Sequence, residues 1–425
     1  MKIALYVDMY SPHQAPLAET LVRYVGAANF RYVAKTDVTD DRRALGWQTA
    51  VAECPFTISR DSESADWLET SDILLLTLRE QADLFARRRA RGLTTYYMSE
   101  RWFKPPRGIL RLLHPGYFKM CRAFVKQIKA GAVTFLPKGV WAARDMARLV
   151  GLFSGDIRCL FRAPRLDFVA APMGAIRGYP WMKMWGYFVA PAAAIPFPAQ
   201  EADEPSARAL RVLWVGRLLR WKRVGTLFKA VYAAQARCPV ALTIVGAGPE
   251  QARLARLDRR LAKKYGVVSP ISYHAAVPVA EVRSFMRAHD VYVLPSNGYE
   301  GWGAVVSEAL EEGMEVFGTY EAGSSATMLP RENLFHAGDW RTLGDKLVQY
   351  AQTRGRHCRG IGKWSAAYAA ERLVAAYAGL LGEKGAVRTA RRDIGDGRDR
   401  RDAEKRAAVA SVASVAVVPG RTRHG

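Results

Sequence analysis

Two glutamates, Glu300 and Glu308, enclose the run Gly301-Trp302-Gly303-Ala304, which follows the apolar segment Val291-Tyr292-Val293-Leu294-Pro295. Gly301 and Gly303 allow a ligand to approach the backbone closely at the start of a helix. Free N–H groups and the helix dipole attract anions there. Glu300 precedes that helix and Glu308 lies about two turns along it, so each carboxylate could grip a pair of vicinal hydroxyls. The plainer reading is an N-terminal helix carboxylate and an ordinary helical glutamate. Arg217 and Lys222 stand on one loop, Val215-Gly216-Arg217-Leu218-Leu219-Arg220-Trp221-Lys222-Arg223, after another apolar segment. Gly216 permits a tight turn, and two cations so placed suit a diphosphate, although the loop by itself reads equally as a solvated basic loop. A third turn, Val245-Gly246-Ala247-Gly248-Pro249-Glu250, joins an apolar run to a helical pattern. A Gly-x-Gly of this kind serves equally to pack helix against strand.

These residues need strands to deliver them, and the chain supplies strands in alternation with helices. Short apolar runs at 3–7, 73–77, 94–98 and 132–136 read as strands, with a helix beginning at 17–24. The rhythm predicts a parallel sheet with helices on both faces. Composition changes near residue 190, where Pro191, Pro196, Pro198 and Pro205 mix with Glu201, Asp203 and Glu204, the signature of a linker. A second series follows: strands at 210–215, 241–245 and 291–295, and helices at 224–236, 249–265 and 304–313. The predicted organisation is a first Rossmann-like α/β domain (1–190), a linker (191–207), a second Rossmann-like domain (208–355), a helical segment (356–382) returning to the first domain through a helix at 364–381, and a disordered basic tail (383–425).

Bulk properties bound what such a chain can be. Its 425 residues, half of them apolar, suit two or three folded domains. Cys54, Cys121, Cys159, Cys238 and Cys358 are scattered and form no Cys-x-x-Cys pair, which argues against a disulfide framework or a zinc site and suits a reducing cytoplasm. The apolar stretch at the N-terminus is too short for a signal peptide, and no run of about 18 apolar residues exists to span a membrane. The net charge of +23 suits nucleic acid, anionic lipid or phosphorylated ligands. Much of it is local: between Arg87 and Lys129 stand twelve Lys or Arg residues against one acid, Glu100, interleaved with Trp102, Phe103, Ile109, Leu110, Leu112, Leu113, Tyr117 and Phe118. That mixture suits the face of an anionic membrane, or a solvated face whose apolar residues belong to the core.

In their order and spacing, Gly216-Arg217-Leu218 with Lys222, Gly246-Ala247-Gly248-Pro249, the 290–296 strand and Glu300…Glu308 resemble the donor-binding half of family 4 of the retaining glycosyltransferases. Those enzymes have the GT-B fold, two Rossmann-like domains facing across a cleft. In the first half, Pro12-His13-Gln14-Ala15-Pro16, Tyr97-Met98-Ser99-Glu100-Arg101 and Trp185-Gly186-Tyr187-Phe188 are similar to enzymes of bacterial surface-polysaccharide assembly.

The resemblance implies a nucleoside diphosphate sugar as donor and a glycan or lipid-linked glycan as acceptor, with no cofactor and no metal. Arg217 and Lys222 would hold the leaving diphosphate, Glu308 the ribose hydroxyls and Glu300 the transferred sugar. The backbone of Gly301–Ala304, through Trp302 and Gly303, would line sugar and phosphate, with Gly216, Gly246 and Gly248 shaping the donor side. His13, Glu100 and Arg101 are candidates for the acceptor or sugar side; a loop histidine and a mutual Glu100–Arg101 salt bridge are the plainer readings. The sequence departs from the family pattern at Ala275, at Gly313-Met314-Glu315-Val316 and at Ala322-Gly323, which bears on the nucleotide base and not on the diphosphate. The implied place is the cytoplasm, peripherally on the inner face of the cytoplasmic membrane. Two rivals follow from the same residues: a GT-B nucleotide-sugar epimerase, and a basic nucleic-acid-binding protein. The second would need a groove-entering helix or an RNA-binding element, and none is found.

Overall fold

Strands covered on both faces by helices require uninterrupted apolar runs, and such runs form the centres of two parallel sheets. The computed structural model describes residues 1–43, 56–58, 62–78, 82–162, 164–189, 208–354, 358 and 362–379. Its first sheet contains β1 (Ile3–Met9), β2 (Phe30–Thr36), β3 (Phe56–Ile58), β4 (Ile73–Leu76), β5 (Thr94–Ser99) and β6 (Thr134–Pro137) in the order 3-2-1-4-5-6. The second contains β7 (Leu210–Val215), β8 (Val240–Val245), β9 (Ile271–His274), β10 (Val291–Leu294), β11 (Glu315–Thr319) and β12 (Leu334–Phe335) in the order 12-11-10-7-8-9. Counted from its own first strand, this is the same order. All strand pairs are parallel, with β1 in register Ile3↔Ile73 on β4 and β7 in register Leu210↔Val240 on β8. The strand order reverses between β1 and β4 and again between β7 and β10. Ligands of open α/β sheets bind at the carboxyl ends of strands beside such a switch.

Helix Ala15–Val25 covers β1. Pro16 stands in its first turn, Leu17, Ala18 and Leu21 form its buried stripe, and Gly26 (φ 81°) ends it. Each leucine so buried contributes about 1.5–3 kcal/mol. Helix Ala366–Tyr377 lies against it, capped by Ser365, whose hydroxyl accepts from Tyr368 N at 3.2 Å. Ala366, Ala369, Ala370 and Leu373 of that helix share the core of β1, β2 and β4, and the small alanines allow the close approach. The chain therefore returns from the second sheet to the first domain, as the sequence predicts. The linker 191–207 and the tail 383–425 lie outside the described residues.

The domains meet along a seam in which Val140 N donates to Thr327 Oγ1 (3.0 Å) and Trp141 Nε1 to Tyr320 O (2.6 Å). No helix among the described residues is long and apolar enough to cross a membrane.

The basic segment 87–129 divides into an inward and an outward part. Arg88 is fully buried and donates to Leu68 O, Ser71 O, Thr94 O and Thr95 Oγ1. Trp102 and Phe103 follow the second of the two readings above and belong to the core, packed with Phe124 and held by Asp145, which accepts from both their backbone N–H groups. Helix Pro115–Lys129 buries Cys121, Phe124, Val125 and Ile128, so Lys119, Arg122, Lys126 and Lys129 are exposed on its other side. Leu110, Leu113 and Phe118 remain exposed beside them.

Candidate functional site

A cleft of about 480 Å³ opens between the carboxyl ends of the two sheets. On the second-domain side, β7 ends in a turn at Gly216 that places Arg217 exposed in the cleft wall. Backbone bonds tie this loop to the next: Gly216 N donates to Val245 O (3.0 Å), Leu218 N to Ala247 O (2.9 Å) and Glu250 N to Leu218 O (3.1 Å). Such close approach demands glycine at 246, where a Cβ would lie 2.0 Å from Gly216 O and φ is +135°. At Gly248 a Cβ would lie 2.5 Å from Leu218 O. Gly248 therefore shapes the loop that carries Arg217 and does not itself line the cleft.

Beyond Arg217, a short turn at Arg220–Lys222 brings Lys222 across to the end of β10. Its Nζ lies 2.5 Å from Glu300 Oε2, and Ser296 Oγ donates to the same oxygen at 2.9 Å. Ser296 is fully buried, and its own carbonyl accepts from Thr319 Oγ1 at 2.6 Å. A relay from β11 through the end of β10 thus fixes Glu300. Helix Val305–Glu311 follows, and Gly301, Gly303, Ala304 and Glu308 border the cleft around its first turn. Trp221 and Tyr299 stack at 6.4 Å between ring centroids and line the same space.

The opposite wall comes from the strand ends of the first sheet. His13, just after β1, reaches across the cleft to within 3.7 Å of Glu308 Oε1. Glu100, just after β5, lies over Gly301, where a Cβ would sit 2.0 Å from its Oε2. Lys104 Nζ donates to that same Glu100 oxygen at 2.6 Å. Lys138, just after β6, is buried with its Nζ 3.9 Å from the centroid of the Tyr187 ring.

Burial and this arrangement of charge set the protonation states. Burial lowers the His13 pKa below its ordinary value, against the pull of Glu308 and with the help of Lys138 and Arg42. Burial works to raise Glu100, but Lys104, Lys138 and Lys222 outweigh it and hold the carboxyl below its usual value. Burial also brings the Lys138 amine down to about 8, with Glu100 opposing. At neutral pH the wall therefore presents a neutral imidazole and an ionised carboxylate to whatever lies in the cleft.

Most of the residues singled out in the sequence come together here: Arg217, Lys222, Glu300 and Glu308 from the second domain, and His13 and Glu100 from the first. Two side chains go elsewhere. Arg101 lies against buried Asp145 (Nε to Oδ2, 3.6 Å) and over the Trp141 ring, so neither the cleft nor a bridge to Glu100 takes it. The Trp302 side chain is fully buried in the first domain's core. Sequence reasoning missed Lys104, Lys138, Ser296 and the Trp221–Tyr299 pair. Lys104 had a signal, standing four positions after Glu100, and Lys138 directly follows a strand, the place where such sheets gather ligand contacts.

Residues 209–353 match the family described as glycosyl transferases group 1. No curated protein sequence matches the chain. Among solved structures, OtsA in its apo form is 13% identical, aligned over 89% of this chain and 99% of its own, with a TM-score of 0.54. The lipopolysaccharide outer core galactosyltransferase WaaB, also apo, is 14% identical over 87% and 97%, with a TM-score of 0.54. HepE of Anabaena in complex with UDP is 15% identical over 88% and 95%, with a TM-score of 0.52. The fold is GT-B, two Rossmann-like domains facing across a cleft. Family match and fold together support a glycosyltransferase.

Proposed function

We propose that the protein transfers a sugar, with retention, from a nucleoside diphosphate sugar to a hydroxyl of a glycan or lipid-linked glycan, as a family 4 enzyme of polysaccharide assembly. One observation carries the reading: two cations from the loop after β7, and two carboxylates from the loop and helix after β10, converge on one cleft at the topological switch point of the second sheet. The bond from the anomeric carbon to the diphosphate oxygen breaks, and the acceptor oxygen forms its bond on the same face. The acceptor proton passes to the departing diphosphate. Arg217 and Lys222 stabilise the charge that develops on that diphosphate, supplying what a divalent cation would otherwise bring, so the transfer is read as metal-independent. Glu308 takes the ribose and Glu300 the sugar. His13 and Glu100 face them from the acceptor side.

The test is release of nucleoside diphosphate from a panel of UDP-, GDP-, ADP- and dTDP-sugars, with and without lipid-linked and oligosaccharide acceptors. Release that rises with one acceptor is expected. Interconversion of the donor sugar without an acceptor would assign the cleft to an epimerase instead.

The same reading places the enzyme in the cytoplasm, peripherally on the inner face of the membrane where a lipid-linked acceptor resides. It rests on Leu110, Leu113 and Phe118, which are 62%, 79% and 38% exposed beside Arg107, Lys119, Arg122 and Lys126. Arg111 is not among these cations, because it donates to Trp102 O and lies over Tyr117. Each cation near an anionic surface contributes about 1 kcal/mol. In vesicle sedimentation, binding should require anionic lipid and fall by about two orders of magnitude or more when all four cations become glutamine. Binding that ignores lipid charge, or none at all, contradicts this placement.

A further inference from the structure

We infer that Trp302 is a positioning residue that links the donor loop to the acceptor wall, by seating its indole on Gly186 of the first domain. The inference rests on the donor reading above and assigns this loop a role in holding the two walls in register. Trp302 stands between Gly301 and Gly303, both of which line the cleft, yet its own side chain is fully buried in the core that surrounds β1. Its ring lies 5.5 Å from that of Trp364, at the foot of the returning helix. A Cβ on Gly186 would stand 2.6 Å from Trp302 Cζ2 and 2.7 Å from Cη2, so the benzo edge of the indole covers a backbone position that only glycine can occupy.

The indole N–H is buried and finds no hydrogen-bond partner among the described residues. An unmet donor is unfavourable, so apolar contact and shape hold the ring, not polarity. The backbone of Trp302 is fixed as well, its carbonyl accepting from Ser324 N at 2.9 Å.

The residue after Gly186 gives this contact a consequence. Tyr187 lines the cleft, with its ring 5.8 Å from that of His13 and beneath the Lys138 ammonium. The acceptor wall at Tyr187 and the donor loop at Gly301–Ala304 are thus the two ends of one contact. Anything that lifts the indole from Gly186 shifts both. Glu100 against Gly301 is a second point of touch between the same walls.

The experiment uses Gly186→Ala, which places a methyl group against the indole edge without touching the cleft, and the double variant Gly186→Ala/Trp302→Phe, whose smaller ring lacks the atoms in conflict. In the full-length protein, Gly186→Ala should weaken binding of UDP, GDP, ADP or dTDP, whichever the wild type takes, by about tenfold, as forced overlap in a packed core does. Amide hydrogen exchange in 300–304 and 185–189 should quicken at the same time. The double variant should bind nucleotide within about threefold of Trp302→Phe alone and recover its slow exchange. Unchanged exchange in both segments of a folded Gly186→Ala protein would overturn the inference, and so would a double variant no better than the single. The exchange readout needs no ligand. A wild type that binds none of the four nucleotides would therefore count against the donor reading while the contact is still decided.

Discussion

The Arg217→Ala and Lys222→Ala variants should each turn over donor about tenfold to a few hundredfold more slowly than the wild type, because charge-assisted hydrogen bonds contribute roughly 1.5–3 kcal/mol each and about 1.4 kcal/mol is tenfold in rate. The fold should be unaffected. Arg217 is exposed, and its loop is held by the backbone of Leu218 and Glu250, not by its side chain. Lys222 is also paired with Glu300, at 2.5 Å. On the proposed reading, a diphosphate would draw Lys222 from that pair and free the Glu300 carboxylate for the sugar. On that reading Glu300 keeps its hydrogen bond from Ser296 when Lys222 is lost, so the two single variants should cost about the same. Steady-state kinetics on both single variants and the double variant checks this. A double variant with near-normal turnover contradicts the clamp.

The two glutamates should separate in opposite ways. Glu308→Gln should mainly weaken donor binding, raising KM by about tenfold with kcat nearly kept, since ribose contacts change little between ground and transition states. It should also loosen the approach of His13, whose Nδ1 lies 3.7 Å from this carboxylate. Glu300→Gln should lower kcat by roughly tenfold to a hundredfold, because that carboxylate faces the sugar on which positive charge develops. Binding of the nucleoside diphosphate should be unchanged or tighter in this variant, since glutamine no longer competes for Lys222. Measurement of kcat, KM and nucleotide affinity on both variants decides the matter. Equal losses in all three would remove the division of labour.

Much of the second domain is legible in the sequence because its chemistry is local. Arg217 and Lys222 follow β7 within a few residues, and Glu300 and Glu308 follow β10, so strand, turn and charge occur together in one short stretch. β9 is different. Ser272, Tyr273 and His274 are exposed and only Ile271 is buried, leaving no apolar run to mark a strand. β11 contains the buried charge Glu315, which the sequence shows only as a departure from a family pattern. In the fold its carboxylate meets Asn333 Nδ2 and the backbone N–H of Cys358, partners supplied by distant segments.

The first domain is harder to read for the same reason. Trp102 and Phe103 sit in a basic, aromatic stretch, and nothing local reveals that Phe124 and Asp145 draw them inward. Arg101 next to Glu100 invites a salt bridge, yet Asp145, 44 positions on in the chain, takes it. The destination of the Trp302 indole depends on how the two domains pack, which no spacing within either domain encodes.

A crystal structure of the protein with an unreactive analogue of its donor sugar nucleotide should show the diphosphate within hydrogen-bonding distance of Arg217 and Lys222, the ribose hydroxyls on Glu308, and the sugar on Glu300. The Lys222–Glu300 pair, 2.5 Å apart in the structure described above, should have opened. A nucleotide bound away from the loops after β7 and β10, or in the cleft with Lys222 still paired to Glu300, would contradict the proposed reading.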